Sequence, residues 1–323
     1  MDFLDNYQKI ISDSIEEFSF HQEPKTLYEP INYILSLGGK RLRPLMVMMA
    51  CNAFGGDCKK AIKPSLAIEF FHNFTLMHDD IMDNAPMRRN KPTVHSKYNL
   101  NTAILSGDAL FVKAYQFFEE LEPELFKKCI SVFSETAIIL CEGQQYDIDF
   151  EEQKEVTFEE YLNMITAKTG VLGAAAFKIG AMIANADDKD AEAIYNFGKH
   201  IGIAFQIKDD YLDVFGDAEK FGKKQGGDIF ENKKTCLYLL ALENANEEEK
   251  RELLYWYGIN TENVDKLYGV EKIFKRTKVD KLALELVKQH NLKAQEYLTK
   301  INLSEDKLNP FTELANYLLI RDT

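Results

Sequence analysis

The stretch from residue 161 to 172 reads YLNMITAKTGVL, and its spacing is that of a helix. One face of that helix carries Tyr161, Ile165, Lys168 and Leu172. Because residues three or four apart share a face, this periodicity predicts an amphipathic helix. The same spacing recurs along most of the chain, and the alternation between turn residues that is typical of strands is missing. The sequence therefore predicts an all-α protein of roughly ten or more helices.

Proline and glycine are scarce, with 8 prolines and 17 glycines among 323 residues. Usual proportions would be roughly 5% and 7%. Six of the prolines lie at or before residue 92, and the stretch 124–309 has none. Since proline removes a helix donor and clashes with the preceding turn, this distribution permits long helices. The length alone would allow about two domains, but no turn-rich segment is long enough to be a domain linker.

The chain is acidic, with 39 Lys and Arg against 52 Asp and Glu and a net charge of −13. This balance disfavours a nucleic-acid-binding protein. No run of about 18 apolar residues is present, so no stable insertion into a membrane is expected. The first residues lack the basic-then-apolar order of a secretory signal, and the five cysteines contain no C-x-x-C pair. We therefore expect a cytoplasmic protein without a disulfide framework or a zinc ribbon.

An aspartate cluster, Asp79-Asp80-Ile81-Met82-Asp83, follows an apolar stretch at 70–77. On a helix, Asp79 and Asp83 point the same way and Asp80 lies beside them. Three carboxylates this close repel one another unless a cation lies between them. Magnesium is commonly bound by one or two carboxylates together with substrate phosphates. The alternative is a solvated acidic helix end, but the apolar stretch before the cluster favours a metal site.

A second cluster repeats the first. Asp209-Asp210-Tyr211-Leu212-Asp213 has the same spacing and again follows an apolar run, at 201–207. Chance recurrence is possible in an acidic protein, yet both clusters end apolar helices. The repetition predicts two facing helices that hold metal ions between them.

Positive charge is concentrated beside both acidic clusters. These basic residues are Lys40, Arg41, Arg43, Arg88, Arg89, Lys91, Lys223, Lys224, Lys233 and Lys234. Arginine binds phosphate oxygens bidentately and lysine acts as a point charge. Surface ion pairs with the same aspartates are the alternative, which we expect for Arg41 and Lys224.

Together these features predict a magnesium–diphosphate site. Carboxylates would hold the metal, and arginine and lysine would cover the remaining diphosphate oxygens. Such a site can pull diphosphate off a carbon, because the leaving group needs its charge neutralised as the bond breaks. The apolar helices ahead of each cluster would form a dry pocket for an apolar tail.

The chain resembles the all-trans isoprenyl (polyprenyl) diphosphate synthases. The matching motifs are GGKRLRP at 38–44, EFFHNFTLMHDDIMDNAPMRR at 69–89, GDAL at 107–110, AKTG at 167–170, FQIKDDYLDVFGD at 205–217 and GKKQGGDIFENKKT at 222–235. The resemblance implies a homodimer in which residues 1–323 of each subunit form a single all-α domain, one large helical bundle that contains the active site. It also implies head-to-tail condensation: an allylic diphosphate ionises to a carbocation, the double bond of isopentenyl diphosphate attacks it, and a proton is lost. Three magnesium ions normally assist.

The resemblance also implies roles for individual residues. It implies magnesium ligation by Asp79, Asp80, Asp83 and Asp209, with Asp210 and Asp213 in outer roles. It places the allylic diphosphate on Arg88, Lys168, Thr169, Gln206, Lys223 and Lys233. It places isopentenyl diphosphate on Lys40, Arg43, His72 and Arg89. Among these, Asp79, Asp80, Asp83, Arg88, Lys168, Asp209 and Asp210 are the implied catalytic residues. Without the resemblance, His72 would be interpreted as a core histidine.

Two positions depart from the family pattern. Asn90 stands where the family usually has glycine after the arginine pair. We expect the turn to form nonetheless, because asparagine tolerates left-handed backbone conformations. The stretch Asn232-Lys233-Lys234-Thr235 replaces the commoner G-K-S-T, which leaves Lys234 as a rival of Lys233 for the diphosphate.

The residues before Asp79 are expected to set the product length. Phe74 and Thr75, one helical turn earlier, would meet the growing tail, and Phe74 resembles the floor of short-chain enzymes. Phe71, near one turn deeper, is a candidate second floor. These features favour a C20 product, such as geranylgeranyl diphosphate, with C15 next.

Three other functions stay open from the sequence. The first is a medium- or long-chain polyprenyl diphosphate synthase or a subunit of one. The second is a class I terpene cyclase, which has no need for the second D-D-x-x-D cluster or the Lys40/Arg43 pair. The third is a non-catalytic regulatory subunit, but such subunits tend to lose aspartates, and here all six are present.

Overall fold

The computed structural model describes residues 2–216 and 225–320, where nearly every element is a helix. The first helices are α1 (Asp2–Glu17), α2 (Lys25–Ser36), α3 (Leu42–Ala53), α4 (Cys58–Met82), α5 (Val94–Lys97), α6 (Leu100–Gln116) and α7 (Pro123–Glu152). There follow α8 (Phe158–Ile165), a π-helix (Thr166–Gly170), α9 (Val171–Ile183), α10 (Asp188–Phe215), α11 (Gly227–Phe230), α12 (Cys236–Asn244), α13 (Glu247–Tyr257), α14 (Val264–Arg276), α15 (Val279–Leu298) and α16 (Glu305–Ile320). The all-α prediction is confirmed. Lys223 and Lys224 lie outside the described residues.

Contacts between Cα atoms group the described residues into two compact units. The first unit comprises residues up to 134 together with 175–192, and the second comprises 135–174 and the described residues from 193 onward. Each unit has its own apolar core. Residues 44–51 of α3 are all buried in the first unit, and residues 236–241 of α12 are all buried in the second. None of the described helices combines the length and the apolarity needed to cross a membrane.

In the first unit, α4 carries the first aspartate cluster to its C-terminal end. The Asp57 side chain caps the start of α4 by accepting a hydrogen bond from the Lys59 backbone N–H at 3.0 Å. A side chain at Gly107 of α6 would collide with the His78 ring of α4, so glycine permits the two helices to pack closely. Asp83 is the C-cap, so the cluster ends an apolar helix as predicted.

A short hairpin follows the first cluster and displays the arginine pair. Strands β1 (Met87–Arg88) and β2 (Lys91–Pro92) are antiparallel and are joined by Arg89 and Asn90. Both joining residues are left-handed, with φ of 51° and 59°. This conformation is the type I′ turn that suits the twist of a hairpin. The expectation that asparagine supports the turn at Asn90 is therefore confirmed.

In the second unit, a π-helical turn interrupts what the sequence predicts as one helix. The preceding helix α8 begins with a capping box between Thr157 and Glu160. A side chain at Gly143 of α7 would collide with the Lys168 backbone nitrogen, so the turn lies directly against α7. Single π turns of this kind are frequent at functional sites. The turn carries Lys168 and Thr169, both of which the resemblance implies in substrate binding.

A buried histidine pair in the second unit predicts acid sensitivity. His200 of α10 and His290 of α15 have their Nδ1 atoms 3.1 Å apart. Burial and, to a smaller extent, the charge of Lys293 lower the pKa of each imidazole to about 4, and His290 and Lys199 also contribute to the lowered pKa of His200. In an unfolded chain the same rings bind protons near pH 6.5. Stability from the neutral pair is therefore complete above pH 6.5 and is lost as the pH falls toward 4.

We expect the urea midpoint of unfolding to fall between pH 7 and pH 5, and to fall less in the double variant His200→Asn, His290→Leu. The exposed His21→Asn variant serves as the control and should show the wild-type pH dependence. An equal fall of the midpoint in the double variant and the wild type would show that other groups cause the acid sensitivity.

Candidate active site

In the first unit, Arg43 of α3 lies against His72 of α4. Arg43 Nη1 is 3.1 Å from His72 Nε2. A guanidinium only donates, so the imidazole Nε2 accepts this hydrogen bond. Burial lowers the pKa of His72 well below its ordinary value, and the nearby Arg43, Arg89, Arg88 and Arg41 charges lower it further. His72 is therefore a neutral member of a cationic cluster, and an anion would find several positive charges there.

The hairpin brings a second arginine, Arg89, against the turn before α3. Arg89 of the hairpin donates to the Gly38 backbone carbonyl. Gly39 has a φ of 127°, and a Cβ there would lie 2.7 Å from the Arg89 guanidinium carbon. Glycine at position 39 therefore provides both the backbone conformation and the space for Arg89. Lys40, next in the chain, has an exposed side chain.

Arg41 does not make the surface ion pair that the sequence suggests. It forms an ion pair with Glu69, and the two side chains are only 8% and 3% exposed. Glu69 also accepts from Asn73 at 2.9 Å on the same helix. The expectation of a surface pair with an aspartate is wrong, because Arg41 turns inward toward α4. This buried pair holds the loop before α3 against α4.

The three carboxylates of the first cluster differ in their surroundings. Asp80 is 1% exposed, and both its oxygens accept from Arg88 Nε at 2.9 Å. Asp79 is half-buried and Asp83 is exposed. All three lie at the C-terminal end of α4, where the helix dipole disfavours negative charge. A cation is therefore needed beside them, and Arg88 provides one for Asp80.

The second unit contains a cavity of about 140 Å³. Its lining includes Asp147, Lys168, Thr169, Gln206, Asp210 and Lys233. Five of these six side chains are among the site residues predicted from the sequence. The cavity therefore brings the π-helical turn, α10 and the segment before α12 into one polar site.

Hydrogen bonds connect the cavity residues in a chain. Thr169 Oγ1 donates to Gln206 Oε1 at 3.0 Å, and Gln206 Nε2 donates to Asp210 Oδ1 at 3.0 Å. The other oxygen of Asp210 accepts from the Tyr161 hydroxyl at 2.6 Å and from the Cys236 backbone N–H at 3.0 Å. Burial raises the pKa of Asp210 to about 7, aided by the Asp228 charge and opposed by these hydrogen bonds. Asp210 is thus an internal carboxylate that organises its neighbours.

The remaining aspartates of the second cluster lie in other settings. Asp213 Oδ2 accepts from the Asp228 backbone N–H at 3.1 Å, at the start of α11. Asp209 is half-buried on α10. The outer roles that the resemblance implies for Asp210 and Asp213 are compatible with these contacts.

Lys168 and Lys233 both line the cavity, and each forms an ion pair with a carboxylate. Lys168 Nζ lies 2.5 Å from Asp147 Oδ2, and Lys233 Nζ lies 2.8 Å from Glu231 Oε2. Burial lowers the pKa of Lys233, but the hydrogen bond to Glu231 and the charge of Asp228 outweigh burial and raise it. Lys233 is therefore firmly protonated. Both lysines line the cavity, where their ammonium groups can bind an anion.

Lys234, the alternative to Lys233 as a ligand of the diphosphate, makes contacts of a different kind. Its ammonium donates to the backbone carbonyls of Phe150 and Glu151 at the end of α7. Carbonyls in the last turn of a helix lack intrahelical partners, and a lysine can satisfy them. Burial lowers the pKa of Lys234. These contacts favour Lys233 over Lys234 as a ligand for the diphosphate.

The carboxylate oxygens of Asp79, Asp83 and Asp209 are the donors that magnesium prefers. No group of three or more His, Cys, Asp or Glu side chains in residues 2–216 and 225–320 has the arrangement of a complete metal site. Magnesium usually takes only one or two carboxylates and completes its shell with phosphates and water. Each aspartate cluster therefore presents carboxylates of the kind that would bind magnesium together with a diphosphate.

Sequence reasoning missed two cavity residues. Tyr161 stood out only as part of a helix face, and Asp147 lies in the polar stretch GQQYDIDF at 143–150. The paired glutamines and aspartates in that stretch, at helical spacing in a long helix, were the available signal. Their partners are far away in the sequence, so the signal does not say which of them faces the cavity.

Comparisons with known proteins identify the family of this chain. The polyprenyl synthetase family model matches residues 24–274. The chain is 38% identical to a geranylgeranyl pyrophosphate synthase of Geoglobus acetivorans, over 97% of each chain. It is 37% identical to a geranylfarnesyl diphosphate synthase of Natronomonas pharaonis, over 75% of this chain and 76% of that one. A crystal structure of a geranylgeranyl pyrophosphate synthase superposes with a TM-score of 0.94 at 41% identity, covering 99% of both chains. This chain therefore belongs to the polyprenyl synthetase family and is a prenyltransferase.

Proposed function

We propose that the chain condenses isopentenyl diphosphate with an allylic diphosphate, head to tail, and that its main product is C20, with C15 next. The observation that carries the proposal is the presence of two sets of side chains that are suited to binding a diphosphate. Arg43, Arg89 and the neutral His72 form one set. Lys168 and Lys233 line the cavity of the second unit and form the other. A reaction that joins two diphosphate esters needs both sets.

On the allylic side, Lys168 and Lys233 neutralise the oxygens of the departing diphosphate. Asp79, Asp83 and Asp209 would hold magnesium, which supplies further charge neutralisation to the leaving group. Thr169 and Gln206 line the same cavity, and their oxygens would lie beside the allylic carbon where positive charge develops. Carboxylate, amide and hydroxyl oxygens stabilise that charge without forming a bond to it.

On the other side, Arg43, Arg89 and Lys40 bind the diphosphate of isopentenyl diphosphate. His72 adds a hydrogen bond and, being neutral, does not hold a charge of its own. Arg88 neutralises the buried Asp80, and its side chain remains 26% exposed. It can therefore also bind the allylic diphosphate, as the resemblance implies. No side chain is assigned as the base, because the departing diphosphate can take the proton.

Aromatic rings behind the first cluster set the proposed product length. The Phe74 ring centroid lies 5.0 Å from that of Phe111 and 5.6 Å from that of Phe71. Phe71 is 1% exposed and also contacts Phe133 at 5.2 Å, whereas Phe74 is only half-buried. A tail would therefore meet Phe74 before Phe71. The Thr75 hydroxyl donates a hydrogen bond to the His72 backbone carbonyl at 2.8 Å, and Thr75 lies on the same helical turn as Phe74.

The variant Phe74→Ala tests this floor. We expect products longer than those of the wild type, with C25 or more, because the alanine removes the ring that stops the tail. The measurement is the size of the prenyl alcohols after dephosphorylation. Phe54→Ala is a matched control, since Phe54 is also half-buried in the first unit but lies outside this aromatic group. Unchanged product length in Phe74→Ala would show that another residue is the floor.

The function itself is tested by product analysis. Purified protein receives magnesium, isopentenyl diphosphate and, separately, dimethylallyl, geranyl or farnesyl diphosphate. Products that end at C15 or C20 support the proposal, and products of C30 or more would make the chain a long-chain synthase. A cyclic hydrocarbon from farnesyl diphosphate alone would indicate a terpene cyclase. Activity only after addition of a partner protein would indicate a subunit of a heteromeric enzyme.

The proposal includes a homodimer. Leu105 and Val112 are two turns apart on α6 and are 60% and 57% exposed. An apolar stripe of this kind on a helix is typical of a surface that another chain covers. Sedimentation equilibrium distinguishes a dimer from a monomer.

A further inference from the structure

Tyr161 has a role in the cavity that its sequence position does not suggest. It lies on α8 and is 1% exposed, yet its hydroxyl faces a carboxylate and not the apolar core. The hydroxyl donates to Asp210 at 2.6 Å. A buried tyrosine usually satisfies its hydroxyl in some way. Here the partner is a residue of the second aspartate cluster.

The contacts of Asp210 fix the direction of each hydrogen bond in the series that runs from Tyr161 to Thr169. Donors converge on its two oxygens from Tyr161, Gln206 and the backbone N–H of Cys236. These three hydrogen bonds stabilise the ionised form of Asp210, and an ionised carboxylate acts only as an acceptor. The NH₂ group of Gln206 must therefore point toward Asp210, and its carbonyl oxygen must point away from it.

That orientation determines the state of Thr169. The Gln206 carbonyl oxygen accepts the single hydroxyl hydrogen of Thr169 at 3.0 Å. The Thr169 oxygen therefore cannot donate to anything else and retains its lone pairs. Thr169 and Gln206 both line the cavity that also contains the two lysines of the allylic site. Oxygen lone pairs, and not protons, are what a developing carbocation requires.

We propose that Tyr161 is a positioning residue that orients Thr169 through Asp210 and Gln206, so that oxygen lone pairs face the allylic carbon. This inference rests on the proposed function, since it needs an allylic substrate in the cavity. The Tyr161 hydroxyl donates to Asp210, whereas the ammonium groups of Lys168 and Lys233 pair with other carboxylates. Loss of the hydroxyl should therefore affect the step in which charge develops and leave substrate binding unchanged.

The decisive variant is Tyr161→Phe, which keeps the buried ring and removes only the hydroxyl. We expect kcat to fall about 10- to 100-fold, the range for a lost hydrogen bond to a charged group. The KM values for both substrates should stay within a factor of about two, because the interaction acts in the transition state. Replacement of Tyr161 by 4-aminophenylalanine, which keeps a donor on the ring, should restore part of kcat.

The matched control is Tyr238→Phe. Tyr238 is also buried in the second unit, at 4% exposure, but it packs its ring against that of Tyr257. We expect wild-type kcat for this variant. The melting temperatures of both variants separate a loss of packing from a loss of orientation.

A double-mutant cycle tests whether the effect passes through Thr169. If it does, Tyr161→Phe should cost little in a Thr169→Val background, since the oxygen to be oriented is already gone. Full additivity of the two losses would contradict the proposal. A purely KM-based defect in Tyr161→Phe, or wild-type kcat, would contradict it as well.

A second route avoids any change on α8. The variant Gln206→Leu interrupts the chain between Asp210 and Thr169 and leaves Tyr161 in place. We expect a loss of kcat at least as large as in Tyr161→Phe, because the variant also removes the Gln206 oxygen from the cavity, and wild-type kcat would overturn the proposal even if Tyr161→Phe folded poorly. Failure of the proposed function is a separate result, because the wild-type enzyme itself would then give no prenyl product.

Discussion

Asp79→Ala should lower turnover by about 10² to 10³ or more while the protein stays folded. Asp79 is half-buried at the C-terminal end of α4, one turn before Asp83. Loss of one group that stabilises charge in a transition state typically costs this much. Folding should not suffer, because the variant removes a negative charge from a helix end that disfavours it and from a group of like charges. Steady-state kinetics with magnesium and thermal unfolding are the two measurements.

Asp188→Ala provides the comparison for Asp79. It removes an exposed carboxylate from the first turn of α10, in the same unit and away from the cluster. We expect wild-type turnover and a slightly lower melting temperature, since an acidic residue stabilises a helix N-terminus. Near-wild-type turnover of Asp79→Ala in magnesium would overturn its assignment as a metal ligand.

Lys168→Met should have the second-largest effect, a fall in kcat/KM for the allylic diphosphate of about 10² to 10³. The ammonium is 27% exposed at the cavity, and Asp147 holds it at 2.5 Å. Its charge would stabilise a leaving group whose negative charge grows during the reaction. Methionine keeps the length of the stem and removes only the charge. Initial rates over a range of allylic diphosphate concentrations give the measurement.

The chain contains a closely matched control for Lys168. Lys178 pairs with Glu192 at 2.7 Å and is 26% exposed, so Lys178→Met breaks an ion pair of similar length and exposure. Exposed ion pairs contribute about 0–1 kcal/mol to stability, and we expect no kinetic effect. If Lys178→Met and Lys168→Met lowered kcat/KM equally, the loss would reflect stability and not contact with the diphosphate.

Local sequence predicted the elements of the fold well, but it did not predict where they deviate. The helical face of Tyr161, Ile165 and Lys168 is real, yet a π-helical turn begins directly after Ile165. The deviation lies where Gly143, a residue of another helix, closely approaches the Lys168 backbone. No periodicity within the segment itself carries that information.

The same limit applies to the charged residues. Arg41 follows two glycines in a basic motif, and the sequence suggests a surface pair with an aspartate. Its actual partner is the buried Glu69, 28 positions away. Charge and spacing predict which residue types gather at a site, but the partner of each charge depends on how the helices pack.

Periodicity, spacing and backbone preference are properties of nearby residues, so the helical class, the two aspartate clusters at helix ends and the left-handed turn at Asn90 could be predicted from the chain alone. Which carboxylates of each cluster face inward depends instead on how the helices pack. Asp80 is bound by Arg88, and Asp210 by Tyr161, a residue 49 positions away. Identical D-D-x-x-D spacing therefore gives carboxylates of different character, since burial and long-range hydrogen bonds fix the charge and the orientation of each one.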